Sequence, residues 1–185
     1  MKKVALLMAD GFEEVEGLTV VDYLRRADIS IDMVSIMDKL EVMGSHNILV
    51  KADKLFKDIK AEDYDVYVFP GGIGNAKIMR ADKTLLDFIK NANDQDKNLY
   101  AICAAPTILY DAGVLEGRNI TSFPGVFREG QSGFNYIEQN VVKDKNILTS
   151  RGPAIAVHFS LAIIEEIAGF EKRKEIEKQL LFDLM

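Results

Sequence analysis

Short runs of β-branched and apolar residues alternate along the chain with longer stretches in which apolar residues recur at helical spacing. This alternation is typical of βαβ units, in which helices cover both faces of a mostly parallel sheet. The pattern predicts strands at 3–9, 30–36, 65–69 and 99–102, and helices at 13–27, 83–92, 105–112, 154–168 and from 171 onward. The chain is therefore predicted to fold as an α/β sandwich.

Three segments depart from this simple alternation. Residues 41–52 alternate between apolar and polar around a Gly-Ser-His-Asn sequence, which predicts a hairpin or an edge excursion. A second hairpin is predicted at 141–150, and a strand is predicted at 119–123 before a loop-rich passage.

The four prolines each follow an apolar run, and they are Pro70, Pro106, Pro124 and Pro153. Proline lacks an amide proton and fixes φ, so it marks the end of a strand or the first turn of a helix. Ligands of open α/β sheets bind outside the carboxyl ends of the strands. The prolines therefore predict that a ligand-binding site lies at one edge of the sheet. The alternative is that the prolines only terminate strands.

Composition and charge narrow the class of protein. With 185 residues, of which 48% are hydrophobic, the chain is predicted to form a single domain over 1–185. Lys+Arg 23 against Asp+Glu 29 leaves a net charge of −6, which provides no basic surface for nucleic acid. The first apolar stretch meets Asp10 too early for a spanning helix or a signal peptide. We expect a cytoplasmic protein with no membrane partner.

Cys103 is the only cysteine, so neither an intramolecular disulfide nor a multi-cysteine metal cage can form. It ends a predicted strand and is followed by Ala104-Ala105-Pro106, which resembles the small-residue turn of a nucleophile elbow. There the next backbone N–H can stabilise an oxyanion, and the start of a helix lowers a thiol pKa. A thiolate at neutral pH is then expected. The alternative is an inert buried cysteine.

Three carboxylates, those of Glu13, Glu14 and Glu16, lie in the first turn of the first predicted helix. Acidic residues there usually do no more than complement the helix dipole. Glu16 is within reach of the apolar face, where burial would raise its pKa and keep it protonated. A protonated Glu16 could donate a hydrogen bond to a thiolate.

A glycine-rich turn at 70–74 follows the third strand, but it lacks the patterns of a dinucleotide fingerprint and of a phosphate-binding loop. Its backbone N–H groups could instead approach an anion at Cys103, or the glycines could simply form a tight turn.

The two histidines are expected in different surroundings. His158 is expected in the core or in an interface, and His46 at a hairpin tip that is remote in sequence from the predicted site. No metal-ligand spacing is present, so no metal and no other cofactor is expected.

Taken in order, four motifs resemble the DJ-1/ThiJ/PfpI superfamily, and its short single-domain branch in particular. They are Gly11-Phe12-Glu13-Glu14-Val15-Glu16, Phe69-Pro70-Gly71-Gly72, Ala101-Ile102-Cys103-Ala104-Ala105-Pro106 and Leu148-Thr149-Ser150-Arg151-Gly152-Pro153. The resemblance implies a flavodoxin-like three-layer sandwich that forms a homodimer. It also implies a reactive Cys103 and a protonated Glu16, which we take as the catalytic pair.

The same resemblance assigns supporting residues. Backbone groups at Gly71, Gly72 and Ala104 are expected to form an anion pocket. The residues expected at the site or at the dimer interface are Arg26, His46, Phe123, Arg151 and Pro153. His46 stands where some relatives have an arginine thought to touch the partner, so we expect a pH-sensitive contact there.

Two departures from the family pattern bear on activity. Phe123 stands where members proposed to act as glyoxalases carry a histidine, and Ala104 stands where peptidases and amidases carry one. The leading hypothesis is therefore an oxidant-responsive stress protein whose Cys103 oxidises to sulfinate, with peroxide or another oxidant as its partner. The alternatives are a cofactor-free glyoxalase or deglycase that acts on methylglyoxal or glyoxal, and a redox-linked chaperone; a peptidase is not expected.

Overall fold

The computed structural model describes residues 2–127 and 130–184. In chain order the strands are β1 (Val4–Met8), β2 (Ile31–Ser35), β3 (Glu41–Met43), β4 (Leu49–Lys51), β5 (Lys54–Leu55), β6 (Val66–Phe69), β7 (Asn98–Ile102), β8 (Asn119–Ile120), β9 (Asn135–Tyr136), β10 (Val141–Asp144) and β11 (Ile147–Ser150). The α-helices are α1 (Glu14–Arg26), α2 (Ile73–Ala81), α3 (Lys83–Asp94), α4 (Pro106–Asp111), α5 (Ala156–Ala168) and α6 (Phe170–Gln179).

Seven strands form the central sheet, in the order β10-β11-β7-β6-β1-β2-β5. Every neighbouring pair is parallel except β10 with β11, which is the antiparallel hairpin predicted at 141–150. The hairpin predicted at 41–52 is also present, as β3 paired with β4. The strand predicted at 119–123 is wrong in extent, because only the two residues of β8 pair, and they pair with β9 outside the main sheet.

The two faces of the sheet are covered by different helices. In β1, Val4, Leu6 and Met8 pack into a core cluster with α1, α5 and α6. The alternate residues Ala5 and Leu7 pack into a second cluster with α2, α3 and α4. Because side chains alternate across a strand, one apolar run feeds both layers. The predicted flavodoxin-like three-layer sandwich is therefore confirmed.

Helix α2 is absent from the predicted elements, because Gly74 and Asn75 in its first turn weaken the helical pattern. The expectation that His158 lies in the core is wrong, since its side chain is exposed and contacts the ring of Phe182. Among the described residues, no helix combines the length and the apolar character needed to cross a bilayer.

Candidate functional site

Cys103 follows directly after β7, at the carboxyl edge of the sheet, and its backbone is strained. Its φ of 64° lies in the left-handed region, which residues other than glycine seldom adopt. Two hydrogen bonds hold this conformation: the Cys103 N–H donates to the Ser150 carbonyl over 2.9 Å, and the Phe123 N–H donates to the Cys103 carbonyl over 2.9 Å. Neighbouring segments therefore fix the direction in which the thiol points.

Glu16 reaches the thiol from α1. Its side chain is fully buried, Oε2 accepts the Gly71 N–H over 2.7 Å, and the carboxyl forms a hydrogen bond with Cys103. Gly71 makes this approach possible, because a Cβ there would lie 2.6 Å from the Cys103 Cβ and would also collide with Glu16. The structure thus brings together two residues that lie 87 positions apart in the chain, 103 against 16.

Two backbone N–H groups, those of Gly72 and Ala104, form hydrogen bonds with the Cys103 sulfur. Gly72 has a φ of 94°, and any side chain on it would strike the Gly11 carbonyl. Only glycine meets both demands without strain. The sulfur therefore lies between a carboxyl group and two N–H donors, an arrangement that accommodates negative charge on sulfur or on an attached oxygen.

The acid–base properties of this pair differ from the simple expectation. Burial raises the pKa of Glu16 to about 7, although hydrogen bonds from Cys103 and Gly71 oppose the shift. Burial and the neighbouring Glu16 carboxylate raise the pKa of the Cys103 thiol to about 12, against the effect of the Ala104 and Gly72 N–H groups. The expected lowering of the thiol pKa by the helix start is therefore not found. Just above pH 7 the pair retains one proton, and these pKa values place it on the Cys103 thiol rather than on Glu16.

Asn75 braces the glycine-rich turn, and the sequence offered no signal for this role. Its buried side chain accepts the Ala9 N–H over 2.7 Å through Oδ1 and donates to the Pro70 carbonyl over 2.8 Å through Nδ2. These bonds tie the end of β1 to the end of β6. Asn75 therefore fixes the position of Gly71 and Gly72 relative to the thiol.

A cavity of about 1140 Å³ opens beside the sulfur. Of the predicted site residues, it is lined by Gly72, Cys103, Ala104, His46, Phe123 and Pro153. Gly71 and Glu16 lie behind this wall and are buried. Arg26 and Arg151 are not among the lining residues; the Arg26 Nε donates to Asp22 over 2.8 Å on the surface of α1, and Arg151 is half-buried after β11. Their expected interface role stays a prediction.

The cavity also has walls that the sequence analysis did not identify. Helix α2 contributes Lys77 and Arg80, and α4 contributes Thr107 and Asp111. The Arg80 Nε donates to Asp111 Oδ2 over 2.6 Å. A pattern of charged residues on a helix face usually indicates exposure to solvent, so nothing in the sequence connected these residues with Cys103.

His46 is not remote from the site in space, because the hairpin folds back onto the loop after β1. The Gly11 N–H donates to the Met43 carbonyl over 2.6 Å, and the Ser45 N–H donates to the Phe12 carbonyl over 2.9 Å. The His46 Nδ1 then lies 2.8 Å from Glu14 Oε2. His46 is therefore remote from Cys103 in sequence but lies at the same cavity.

This contact changes the acidity of both partners. Although burial acts in the opposite direction, hydrogen bonds from the His46 side chain and backbone and from Ser45 lower the pKa of Glu14 to about 2. The hydrogen bond to Glu14 and the neighbouring Glu13 raise the pKa of His46. Glu14 is thus a carboxylate at every physiological pH.

Glu13, Glu14 and His46 also bring one ligand atom each within 4.8 Å of one another. One imidazole nitrogen and two carboxylate oxygens form a set that a divalent cation accepts. His46 lies far along the chain from the two glutamates, so no metal-ligand spacing is visible in the sequence. In the structure the His46 Nδ1 is hydrogen-bonded with Glu14 Oε2, and the Ser45 hydroxyl lies within hydrogen-bond distance of both glutamates.

Comparison with known proteins agrees with this geometry. Residues 2–166 match the model of the DJ-1/PfpI family. The chain is 35% identical over 181 residues to dj-1beta from Drosophila melanogaster. That alignment covers 97% of each chain. The crystal structure of that Drosophila protein superposes with a TM-score of 0.91, at 37% identity and 98% coverage of both chains.

The descriptions of two further relatives mention oxidation or a cysteine-dependent activity. A structure described as oxidized DJ-1 from Toxoplasma gondii superposes with a TM-score of 0.89, at 34% identity and 98% coverage of both chains. YraA of Bacillus subtilis, which carries the provisional name of a cysteine protease, is 35% identical over 153 residues, or 82% of this chain and 90% of the relative.

Proposed function

This chain belongs to the DJ-1/PfpI family, and from that membership we propose an oxidant-responsive protein in which the Cys103 thiol is the reacting group. A family match over nearly the whole chain, together with a single cysteine, supports a DJ-1-like, stress-related function. The observation that carries the proposal is the setting of the sulfur, between the Glu16 carboxyl and the N–H groups of Gly72 and Ala104.

The reaction begins when the proton of the pair passes from the Cys103 thiol to the Glu16 carboxylate, which gives a thiolate beside a protonated carboxyl group. The sulfur attacks one oxygen of hydrogen peroxide, the O–O bond breaks, and the departing hydroxide takes the Glu16 proton to become water. Cys103 is now a sulfenic acid, and Glu16 is a carboxylate. The sulfur has been oxidised by two electrons and the peroxide reduced by two.

The sulfenic acid first passes its proton to the Glu16 carboxylate, which leaves a sulfenate beside a protonated carboxyl group. The sulfenate sulfur attacks a second peroxide, the O–O bond breaks, and the departing hydroxide takes the Glu16 proton to become water, which gives a sulfinic acid. Its proton passes to Glu16, because a sulfinic acid is far more acidic than a carboxyl group whose pKa burial has raised to about 7. The protonated Glu16 and the two N–H groups then donate hydrogen bonds to the sulfinate oxygens. Because these hydrogen bonds stabilise the sulfinate anion, we expect oxidation to stop at this stage.

Mass spectrometry of the intact protein tests the proposal. After mild treatment with peroxide, we expect two added oxygen atoms on Cys103 and none in Cys103→Ser. Glu16→Gln keeps the shape but cannot supply a proton, so the yield of sulfinate is expected to fall about tenfold or more. Glu14→Gln is the matched control, since Glu14 is buried on the same helix turn and faces His46 instead of the thiol. Equal yields from the wild type, Glu16→Gln and Glu14→Gln would exclude Glu16 from the reaction.

The cavity favours a second candidate, carbonyl chemistry at the same pair. A volume of about 1140 Å³ beside the sulfur exceeds what a peroxide needs. The Cys103 thiolate would add to the aldehyde carbon of a 2-oxoaldehyde, and the carbonyl oxygen would take the Glu16 proton to give a hemithioacetal. The resulting Glu16 carboxylate would move a proton from the first carbon to the second, and water would hydrolyse the thioester to a 2-hydroxy acid.

Phe123 limits the rate that we expect from this second activity. It lines the cavity at the position where a histidine is expected in glyoxalases, so Glu16 must carry the proton alone. Formation of lactate from methylglyoxal by the wild type, compared with Cys103→Ser, measures the activity. Equal rates in the two proteins would exclude it.

A homodimer is also part of the proposal. Exposed apolar side chains cluster on α1 and on the hairpin of β3 and β4: Val15 is 52% exposed, Ile48 50% and Leu49 58%. Large exposed apolar side chains in one region are typical of an interface. Sedimentation equilibrium of the wild type and of Leu49→Glu tests it, with a monomeric wild type as the contradicting result.

A further inference from the structure

The cavity beside Cys103 has a cationic side. Lys77 and Arg80 are three residues apart on α2, so they lie on the same face of that helix, and both line the cavity. The neighbouring walls are apolar and include Ile73, Phe123 and Val126. A molecule that fills the cavity therefore meets a thiol at one end, apolar side chains along its length and two positive charges beyond them.

Helix geometry sets the spacing between these two ends. Helix α2 begins directly after Gly72, whose N–H is hydrogen-bonded to the Cys103 sulfur. At about 1.5 Å per residue, Lys77 and Arg80 lie about 7.5 Å and about 12 Å along the helix axis from Gly72. The two cationic residues thus lie about one and a half and about two helical turns beyond Gly72, which adjoins the reacting sulfur.

The charges on this side are only partly neutralised. Within residues 2–127 and 130–184, Lys77 forms no ion pair, and the Arg80 guanidinium uses only Nε on Asp111. Its two terminal NH₂ groups remain available for a planar anion. The other acidic residue of the lining is Glu13, which accepts a hydrogen bond from Ser45 near the His46 side. An anionic ligand therefore meets a net attraction at α2.

We infer that Lys77 and Arg80 recognise a carboxylate on the substrate, and that the substrate is an aldehyde whose carboxylate lies several bonds from the reacting carbon. This inference rests on the carbonyl chemistry proposed as the second candidate. Free methylglyoxal is too small to reach both ends of the cavity. The carboxylate would bind to Lys77 and Arg80 while the aldehyde carbon forms its bond with the sulfur, the carbonyl π bond breaks and the oxygen takes the Glu16 proton.

Protection of Cys103 from iodoacetamide tests the inference without depending on turnover. The probes are 7-oxoheptanoic acid and its methyl ester, which share the aldehyde and chain and differ only in charge. We expect the acid to protect Cys103 at about tenfold lower concentration than the ester, which is the size expected for charge-assisted hydrogen bonds in a partly open site. Lys77→Glu should reverse the preference, and raised salt should weaken it.

Lys83→Gln is the matched control, because Lys83 is an exposed lysine at the start of α3, pairs with Asp87 and does not line the cavity. It should leave the preference of the wild type unchanged. If neither probe protects Cys103 although the wild type forms lactate from methylglyoxal, the carbonyl function stands and the inferred substrate is wrong; if lactate formation also fails, the carbonyl function itself is wrong. If acid and ester protect equally, the carbonyl function stands and the recognition of a carboxylate by α2 is excluded.

Discussion

Glu14 and Glu16 are two buried carboxyl groups on the same turn of α1, and the molecule shifts their acidities in opposite directions. Glu16 faces the thiol and has its pKa raised to about 7, whereas Glu14 faces the hairpin and has its pKa lowered to about 2. Both side chains are almost inaccessible to solvent, at 0% and 4% exposed. Burial alone therefore does not decide the charge of a carboxyl group.

The number of donors and the depth of burial decide it together, because Glu14 lies just beneath the exposed ring of His46, whereas Glu16 lies deeper, beside the end of β7. Glu14 accepts hydrogen bonds from three donors, which are the His46 backbone N–H, the His46 ring and the Ser45 hydroxyl. All three stabilise the negative charge of its carboxylate. Glu16 accepts one backbone N–H bond, from Gly71, and otherwise meets a weakly polar thiol. A carboxylate with several donors stays ionised in a protein interior, while one with few donors keeps its proton near neutral pH.

The largest effect that we predict is on stability as a function of pH. Since folding raises the pKa of Glu16 from 4.5 to about 7, its contribution is lost as pH rises from the first value through the second. Between pH 5 and pH 8 this amounts to about 2–3 kcal/mol. Urea unfolding should show this loss in the wild type and in Glu14→Gln but not in Glu16→Gln. An unchanged pH profile in Glu16→Gln would mean that the carboxyl is ionised throughout.

The next largest effect is the loss of stability on substituting Gly71 and Gly44, the glycines that leave room for the side chains of Glu16 and Glu14. A Cβ on Gly71 would lie 2.6 Å from the Cys103 Cβ, whereas a Cβ on Gly44 would lie 2.6 Å from the Cγ of the Glu14 side chain. Because a strained backbone fixes the Cys103 Cβ, whereas the clash at Gly44 is with the end of a longer side chain, we expect Gly71→Ala to cost about 2 kcal/mol and Gly44→Ala about 1 kcal/mol. Thermal or urea unfolding measures both.

A rescue experiment sharpens this difference. Adding Glu14→Ala to Gly44→Ala should remove the clash and make the two substitutions strongly non-additive. Adding Glu16→Ala to Gly71→Ala should restore little, since the Cys103 Cβ remains in place. Full rescue of Gly71→Ala in this way would show that Cys103 is free to move.

The smallest effect lies at the hairpin. Folding raises the pKa of His46 above 6.5, so protonated His46 stabilises the fold below that pH, and this contribution is lost as pH rises through the raised value. The Glu14 contribution is present above 4.5 and lost as pH falls through about 2. His46→Asn should therefore be most destabilising near pH 5.5 and less so at pH 8.5, by urea unfolding.

His158→Asn is the control for this measurement, because His158 is also exposed but contacts the Phe182 ring instead of a carboxylate. It should show no such pH-dependent deficit. The same pair of variants tests the expected pH-sensitive dimer contact. A dimer dissociation constant that stays flat between about pH 5.5 and 7.5 would remove His46 from the interface.

Much of the architecture could be predicted from local pattern, because each strand and helix carries its own periodicity. The run from Val4 to Met8 indicates a strand buried on both faces, and the small residues after Cys103 indicate a strand-to-helix turn. Helix α2 could not be predicted in this way, because Gly74 and Asn75 in its first turn weaken the helical pattern. That turn is instead held by the hydrogen bonds of the Asn75 side chain to Ala9 and Pro70, which are distant or outside the helix.

The order of the sheet-forming runs, the single thiol and the carboxyl groups close to one another on α1 can all be read from the amino-acid sequence. The folded chain was needed to show which carboxyl group meets the thiol, that His46 lies over Glu14, and that Lys77 and Arg80 share a cavity with Cys103. This division arises because periodicity and turn chemistry act between near neighbours in the chain. The pKa of a buried group depends instead on burial and on donors that come from distant segments.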